Sequence, residues 1–295
     1  MPPIDYDLVD VELPEHDGYP PEAEEQDTDE AVFAAFGDTG REFPDAFMVP
    51  ENEWVSRIEE MWAKKLWPIN YLDRYSHQGN SHECTSHSLA YACEMVWNRQ
   101  RRYPHGDGPE ANVRLPSSAL GSSVWFSPVS VYAEANPRQR GGANIQTVIG
   151  IAIDRGILPS IVQPKYEFDH TMVTTCGGHD GTNQQDGSWP GWSGDDFRNG
   201  PSGWRETAKH FRPLECINPK NTAQVVSLLL NGCPVGVGRS GHAVTYGAIK
   251  LDRGRMYFAY PDSYDVTRYD SKAAYSGSWS IASFTMPADW DNPAG

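Results

Sequence analysis

The sequence has no long apolar run, few basic residues and no paired cysteines. No stretch of its 295 residues approaches the roughly 18–20 apolar residues that a membrane-spanning helix needs, which argues against a membrane as partner. Lys and Arg number 24 against 40 Asp and Glu. Nonspecific nucleic-acid binding requires clustered bases that displace counterions. The one small cluster, Arg99, Arg101 and Arg102, reads as a helix end, so nucleic acid is not expected as a partner. Cys84, Cys93, Cys176, Cys216 and Cys233 are five scattered residues without a CxxC pair. That set fits neither a disulfide framework nor a structural zinc module and points to free thiols in a reducing compartment. The opening MPPIDYDLVDVELPEHD lacks the basic and apolar regions of a secretory signal. The expected location is the cytoplasm or an intracellularly assembled particle such as a virion.

The acidity is concentrated at one end. Residues 1–50 hold 15 Asp and Glu and one basic residue, Arg41, for a formal charge of −14, while the other 245 residues sum to −2. The segment also carries Pro2, Pro3, Pro14, Pro20, Pro21, Pro44 and Pro50, and alone it cannot bury enough apolar surface to offset its ordering entropy. It reads as an acidic, Pro-rich arm. Its two apolar islets, Ile4–Leu13 and Ala31–Phe36, would dock on the body or on a protein partner.

Downstream, Val55, Ile58, Met61, Trp62 and Leu66 follow helical spacing. A short extended piece is expected from Pro68 to Tyr75. Leu89, Cys93, Val96 and Trp97 mark a second helix that begins at Cys84 and runs to Arg102. Shorter helices are expected from Ser127-Pro128 through Tyr132, from Ile145 to Ile153 with Gly156 closing it, and over Thr222–Leu230. Residues Cys176–Trp204, dense in Gly, Asp and Trp, read as a long surface loop. Pro234–Gly238, His242–Leu251, Arg255–Tyr260 and Ser278–Phe284 read as strands. A helical half before a strand-rich half predicts an α+β protein in two lobes. The expected division is an arm at 1–50, a helical lobe with the nucleophile at 51–165 and a β-rich lobe with the catalytic histidine at 166–295.

The chemistry centres on a cysteine at the start of a helix, where unpaired backbone N–H groups and the helix dipole stabilise a negative charge. Cys84 occupies that position, whereas Cys93 falls mid-helix on the apolar face, as a structural thiol does. Around it the sequence reads Gln78-Gly79-Asn80-Ser81-His82-Glu83-Cys84-Thr85-Ser86. This resembles the Gln-Gly-x-Cys-Gly-Ser-Cys-Trp-Ala signature of the papain-like cysteine proteases. Further matches follow in the family's order: Ser127-Pro128-Val129-Ser130-Val131-Tyr132, then Gly141-Gly142-Ala143-Asn144-Ile145 ahead of a helix and Gly156-Ile157-Leu158-Pro159, then Gly232-Cys233-Pro234-Val235, and Gly241-His242-Ala243-Val244. The resemblance spans about Ile69 to Asp265.

That resemblance implies a papain-like two-lobed fold, with a helical left lobe and a β-barrel-like right lobe. It also implies roles. Cys84 is the nucleophile, His242 the base and acid, and Gln78 shares the oxyanion with the Cys84 N–H. Gly141 and Gly142 bind an extended substrate backbone. Asp262, in Pro261-Asp262-Ser263-Tyr264, stands where the family has asparagine, with Asp265 as its rival. No cofactor is implied. Ser81 replaces the usual half-cystine, Thr85-Ser86 replaces Trp-Ala, and His82 and Glu83 flank the nucleophile where small residues are usual.

His77, His82, Cys84, His87, Cys176, His179 and Asp180 have no zinc-site spacing, and no metal is expected. Trp189, Trp192 and Trp204 would pin the loop to the body or form an aromatic platform for a sugar or a peptide. The reading is therefore a cysteine-type peptidase acting on peptide or isopeptide bonds. The alternative is a papain-like domain kept as a docking component of a larger assembly.

Overall fold

Apolar residues at helical spacing form α1 (Trp54–Lys64), which turns Ile58 and Met61 into the core and leaves Glu59 and Glu60 in solvent. The helix stops at Lys65, whose left-handed backbone (φ 55°, ψ 47°) lets its N–H close on the Met61 and Trp62 carbonyls. The computed structural model describes residues 41–72, 83–102, 126–135, 143–158, 205, 208–239, 242–262, 266–275 and 278–284. The arm up to residue 40, Gln78, Gly141, Gly142, Asp265 and the 176–204 loop lie outside these residues. Pro68–Tyr71 is a 3-10 turn and not the extended piece expected, since Pro68 at its first position presets a helical φ.

The remaining helices are α2 (Cys84–Arg102), α3 (Pro128–Ala135), α4 (Ile145–Arg155) and α5 (Thr222–Leu230). From Cys84 to Asn98 every residue of α2 is buried, so this helix is the centre of the molecule and not a surface element. Asn144 caps α4 by accepting from the Gln146 and Thr147 N–H groups, and Asn221 caps α5 by accepting from Gln224 N–H. Among the described residues no helix is long and apolar enough to cross a membrane.

The strands are β1 (Arg41–Glu42), β2 (Pro213–Asn218), β3 (Val235–Arg239), β4 (His242–Tyr246), β5 (Ala248–Asp252), β6 (Arg255–Asp262), β7 (Val266–Asp270) and β8 (Trp279–Phe284). They form a five-stranded sheet ordered β1-β2-β8-β3-β4 and a three-stranded sheet ordered β5-β6-β7. Among the described residues neither sheet closes into a barrel, so the fold is α+β with two open sheets. The run His242–Leu251, expected as one strand, is two strands in different sheets. Gly247 is the break: its N–H donates to the Ala259 carbonyl and its carbonyl accepts from Ile69 N–H. A side chain there would press on Ile69 and Met95.

Two apolar cores result. One gathers Leu89, Cys93 and Trp97 of α2 with α3, α4 and Trp279, Ile281 and Phe284 of β8. The other gathers α1 and α5 with β3 to β6. In the first, Gly236 of β3 lies opposite the buried Trp279, and a Cβ at 236 would come within 2.1 Å of the indole ring. Gly236→Ala is therefore expected to cost about 1–3 kcal/mol through overpacking. A chemical denaturation midpoint matching wild type would refute that account.

Candidate active site

Cys84 is the first residue of α2 and is 5 % exposed, so the helix presents its thiol at the end of a buried rod. One turn on, Ser88 ties this helix to β4. The Thr245 hydroxyl donates to the Ser88 carbonyl at 2.6 Å, and the two hydroxyl oxygens lie 2.7 Å apart. With the Thr245 proton so committed, the Ser88 hydroxyl donates across the second contact. Both residues are buried, and this clasp sets the distance between the start of α2 and the strand that opens with His242.

His242 Nε2 is 3.3 Å from Asp262 Oδ1, at the end of β6, and Cys84 is near enough to act on the same imidazole. The structure thus brings together three residues that are 158 and 20 positions apart in sequence (242 − 84 and 262 − 242). Burial is the largest influence on His242 and acts to lower its pKa. The hydrogen bonds to Asp262 and to Cys84, followed by the charges of Cys84 and Asp262, outweigh it and raise the imidazole from 6.5 to about 9.

Asp262 is 3 % exposed and has a second partner. Its Oδ2 lies 2.6 Å from Arg268 Nε on β7. The Nε–H does not point along that contact, so the pairing is one of charges and not an aligned hydrogen bond. The register explains it. Asp262 pairs with Val266 and Tyr260 with Arg268, which makes Asp262 and Arg268 diagonal neighbours on one face of the hairpin.

The neighbours of Cys84 on its own helix are inward-facing. Glu83 and His87 are each 1 % exposed, with Glu83 Oε2 3.7 Å from His87 Nε2. Glu83, which flanks the nucleophile in sequence, is buried one helical turn from His87. Two other thiols are buried in the core. Burial, reinforced by Cys216 and Glu94, raises Cys93 well above the ordinary thiol range, and burial pushes Cys216 up to about 12. Both stay protonated and serve as core. Among the described residues no group of three His, Cys, Asp or Glu side chains is arranged to hold a metal ion.

The chain is similar to solved cysteine protease structures. Xylellain, a cysteine protease from Xylella fastidiosa, is 14 % identical with a TM-score of 0.48, over 71 % of this chain and 82 % of that one. ProCathepsin B S9 from Trypanosoma congolense is 12 % identical with a TM-score of 0.45, over 84 % of this chain and 82 % of that one. Digestive procathepsin L 3 of Tenebrio molitor larval midgut is 10 % identical with a TM-score of 0.41, over 73 % of this chain and 67 % of that one. No protein-family model matches the sequence, and no curated protein does.

Of the residues singled out in the sequence, Cys84, His242 and Asp262 meet, while Gln78, Gly141, Gly142 and Asp265 fall outside the described residues. Sequence reasoning missed Arg268, Ser88 and Thr245. For Arg268 the only available signal was a charge at the middle of a five-residue β stretch, Val266–Asp270. It gains meaning once the β6–β7 register is known.

Proposed function

We propose that the chain is a papain-like cysteine protease, a thiol hydrolase of peptide or isopeptide bonds. One observation carries the reading: a single imidazole, His242, lies 3.3 Å from a buried carboxylate and within interaction range of a helix-opening thiol. That is the arrangement nucleophilic catalysis requires, a nucleophile within reach of a base that a third group orients.

Cys84 gives its proton to His242, and its sulfur attacks the carbonyl carbon of the scissile bond. The carbonyl oxygen becomes an oxyanion. The Cys84 N–H, which as the first of α2 has no acceptor within its own helix, and the Gln78 side-chain amide are the donors assigned to it. Collapse of the tetrahedral species breaks the C–N bond, and His242 delivers its proton to the leaving amine. The thioester left on Cys84 is cleared by water, which His242 deprotonates, and the thiol is regenerated. Gly141 and Gly142 are assigned to the substrate backbone, because glycine allows another chain to approach closely. A peptide or protein is the substrate, and the part of the acidic arm ahead of β1 is assigned to docking on a protein partner.

The test is covalent. An epoxide thiol probe incubated with the native protein near neutral pH should add once, with the adduct mapped by mass spectrometry to Cys84. A native protein that stays unlabelled, while the denatured chain labels, would remove the protease reading.

A further inference from the structure

Asp262 presents a difficulty for the proton cycle. When His242 passes its proton to the leaving amine, it becomes neutral and leaves beside it a carboxylate that is 3 % exposed. A buried carboxylate without a counter-charge is costly, and that cost would hold the proton on the imidazole. The group placed to meet this cost is on the neighbouring strand. Arg268 Nε lies 2.6 Å from Oδ2, while His242 Nε2 lies 3.3 Å from Oδ1. The carboxylate therefore has its closer charge contact with arginine and its longer contact with histidine. Arginine stays protonated throughout the working pH range, so this partner does not depend on the state of the cycle.

We infer that Arg268 is a positioning residue that acts as the standing counter-ion of Asp262, so that His242 can release its proton without exposing a bare buried carboxylate. The inference rests on the protease reading for its purpose, but its physical content concerns only the His242–Asp262–Arg268 series. The groups that act directly on His242 are Cys84 on α2 and Asp262 on β6, and Arg268 on β7 reaches it through Asp262. Together Asp262 and Arg268 present His242 with an oriented oxygen whose carboxylate also has a positive charge on its far side. The net balance of the proton step is unchanged: one N–H bond on His242 breaks and one forms on the amine. What Arg268 alters is the relative stability of the state after transfer.

The experiment is a double-mutant cycle read by NMR titration of the His242 imidazole, assigned by the signal lost in His242→Gln. Arg268→Met should raise the His242 midpoint by about one unit, because the neutral-imidazole state loses its counter-ion. Arg268→Lys should leave it near that of wild type. Asp262→Asn alone should lower the midpoint, since His242 then faces an uncompensated guanidinium. The double variant Asp262→Asn with Arg268→Met should recover part of that fall. With a denatured protein as substrate, Arg268→Met should lower kcat about 10-fold and leave KM unchanged. A His242 midpoint that stays put or falls in Arg268→Met overturns the inference, as does an Arg268→Lys variant that behaves like Arg268→Met. Thermal unfolding checks each variant, and Arg268→Gln replaces the methionine variant should that one fail to fold. The titration needs no turnover. An unlabelled Cys84 therefore refutes the protease reading alone, and an unmoved His242 refutes the counter-ion alone.

Discussion

Cys84→Ala is expected to reduce peptide hydrolysis by on the order of 10⁴-fold or more and to abolish labelling by the epoxide probe. Removing a covalent nucleophile eliminates the reaction path and does not merely weaken one interaction along it. The fold should survive. The thiol is small and lies at the end of α2, while the helix itself is held by the Leu89, Cys93 and Trp97 core and by the Ser88–Thr245 clasp. A stability change of about 1 kcal/mol is the expected scale. Because Cys93 and Cys216 are buried and kept protonated, neither should take over the labelling. Hydrolysis within 10-fold of wild type by purified Cys84→Ala, with residual enzyme from the host excluded, would show that the nucleophile lies elsewhere.

His242→Ala is expected to lower kcat by about 10²–10⁴-fold, the range associated with a positioned acid–base group. The same residue sets two pH dependences. Hydrolysis needs an imidazolium to protonate the leaving amine, so activity should decline as pH rises through about 9, where His242 loses its proton. Stability follows the same group. Its folded pKa is raised from 6.5 to about 9, so its contribution is fully present below about 6.5 and is lost as pH rises through about 9. That contribution is at most on the order of 3 kcal/mol. Denaturation midpoints collected from pH 6 to pH 10 should therefore fall for wild type and change less for His242→Ala. Parallel curves for the two proteins would show that the raised imidazole pKa does not contribute to stability.

Much of the secondary structure was legible because short-range patterns carry it. The helical period after Cys84 gave a helix from Cys84 to Arg102, and the helix expected over Thr222–Leu230 has those bounds. The strand at 242–251 was misjudged for a specific reason. Its apolar content is continuous, and the switch of sheets at Gly247 depends on Ile69 and Ala259, which are distant in sequence. The strands at Pro213–Asn218 and Val266–Asp270 were not anticipated, since neither has a clear alternation of apolar and polar residues. Glu83 read only as an unusual charge flanking the nucleophile, and its burial against His87 one turn on was not legible. The docking-module reading drew on the acidic arm, which lies almost wholly outside the described residues.

Residue type and order alone determined which groups were candidates: a cysteine where a helix opens, a histidine heading a strand, and an aspartate after the following hairpin. These are local facts, written in consecutive residues. Only the tertiary structure decided that the three meet, because that depends on the Ser88–Thr245 clasp, on the change of sheet at Gly247 and on the β6–β7 register. The pairing of Asp262 with Arg268 belongs wholly to the tertiary level. A diagonal contact across a hairpin is invisible until the register is set, and a shift of one residue would turn Arg268 to the opposite face.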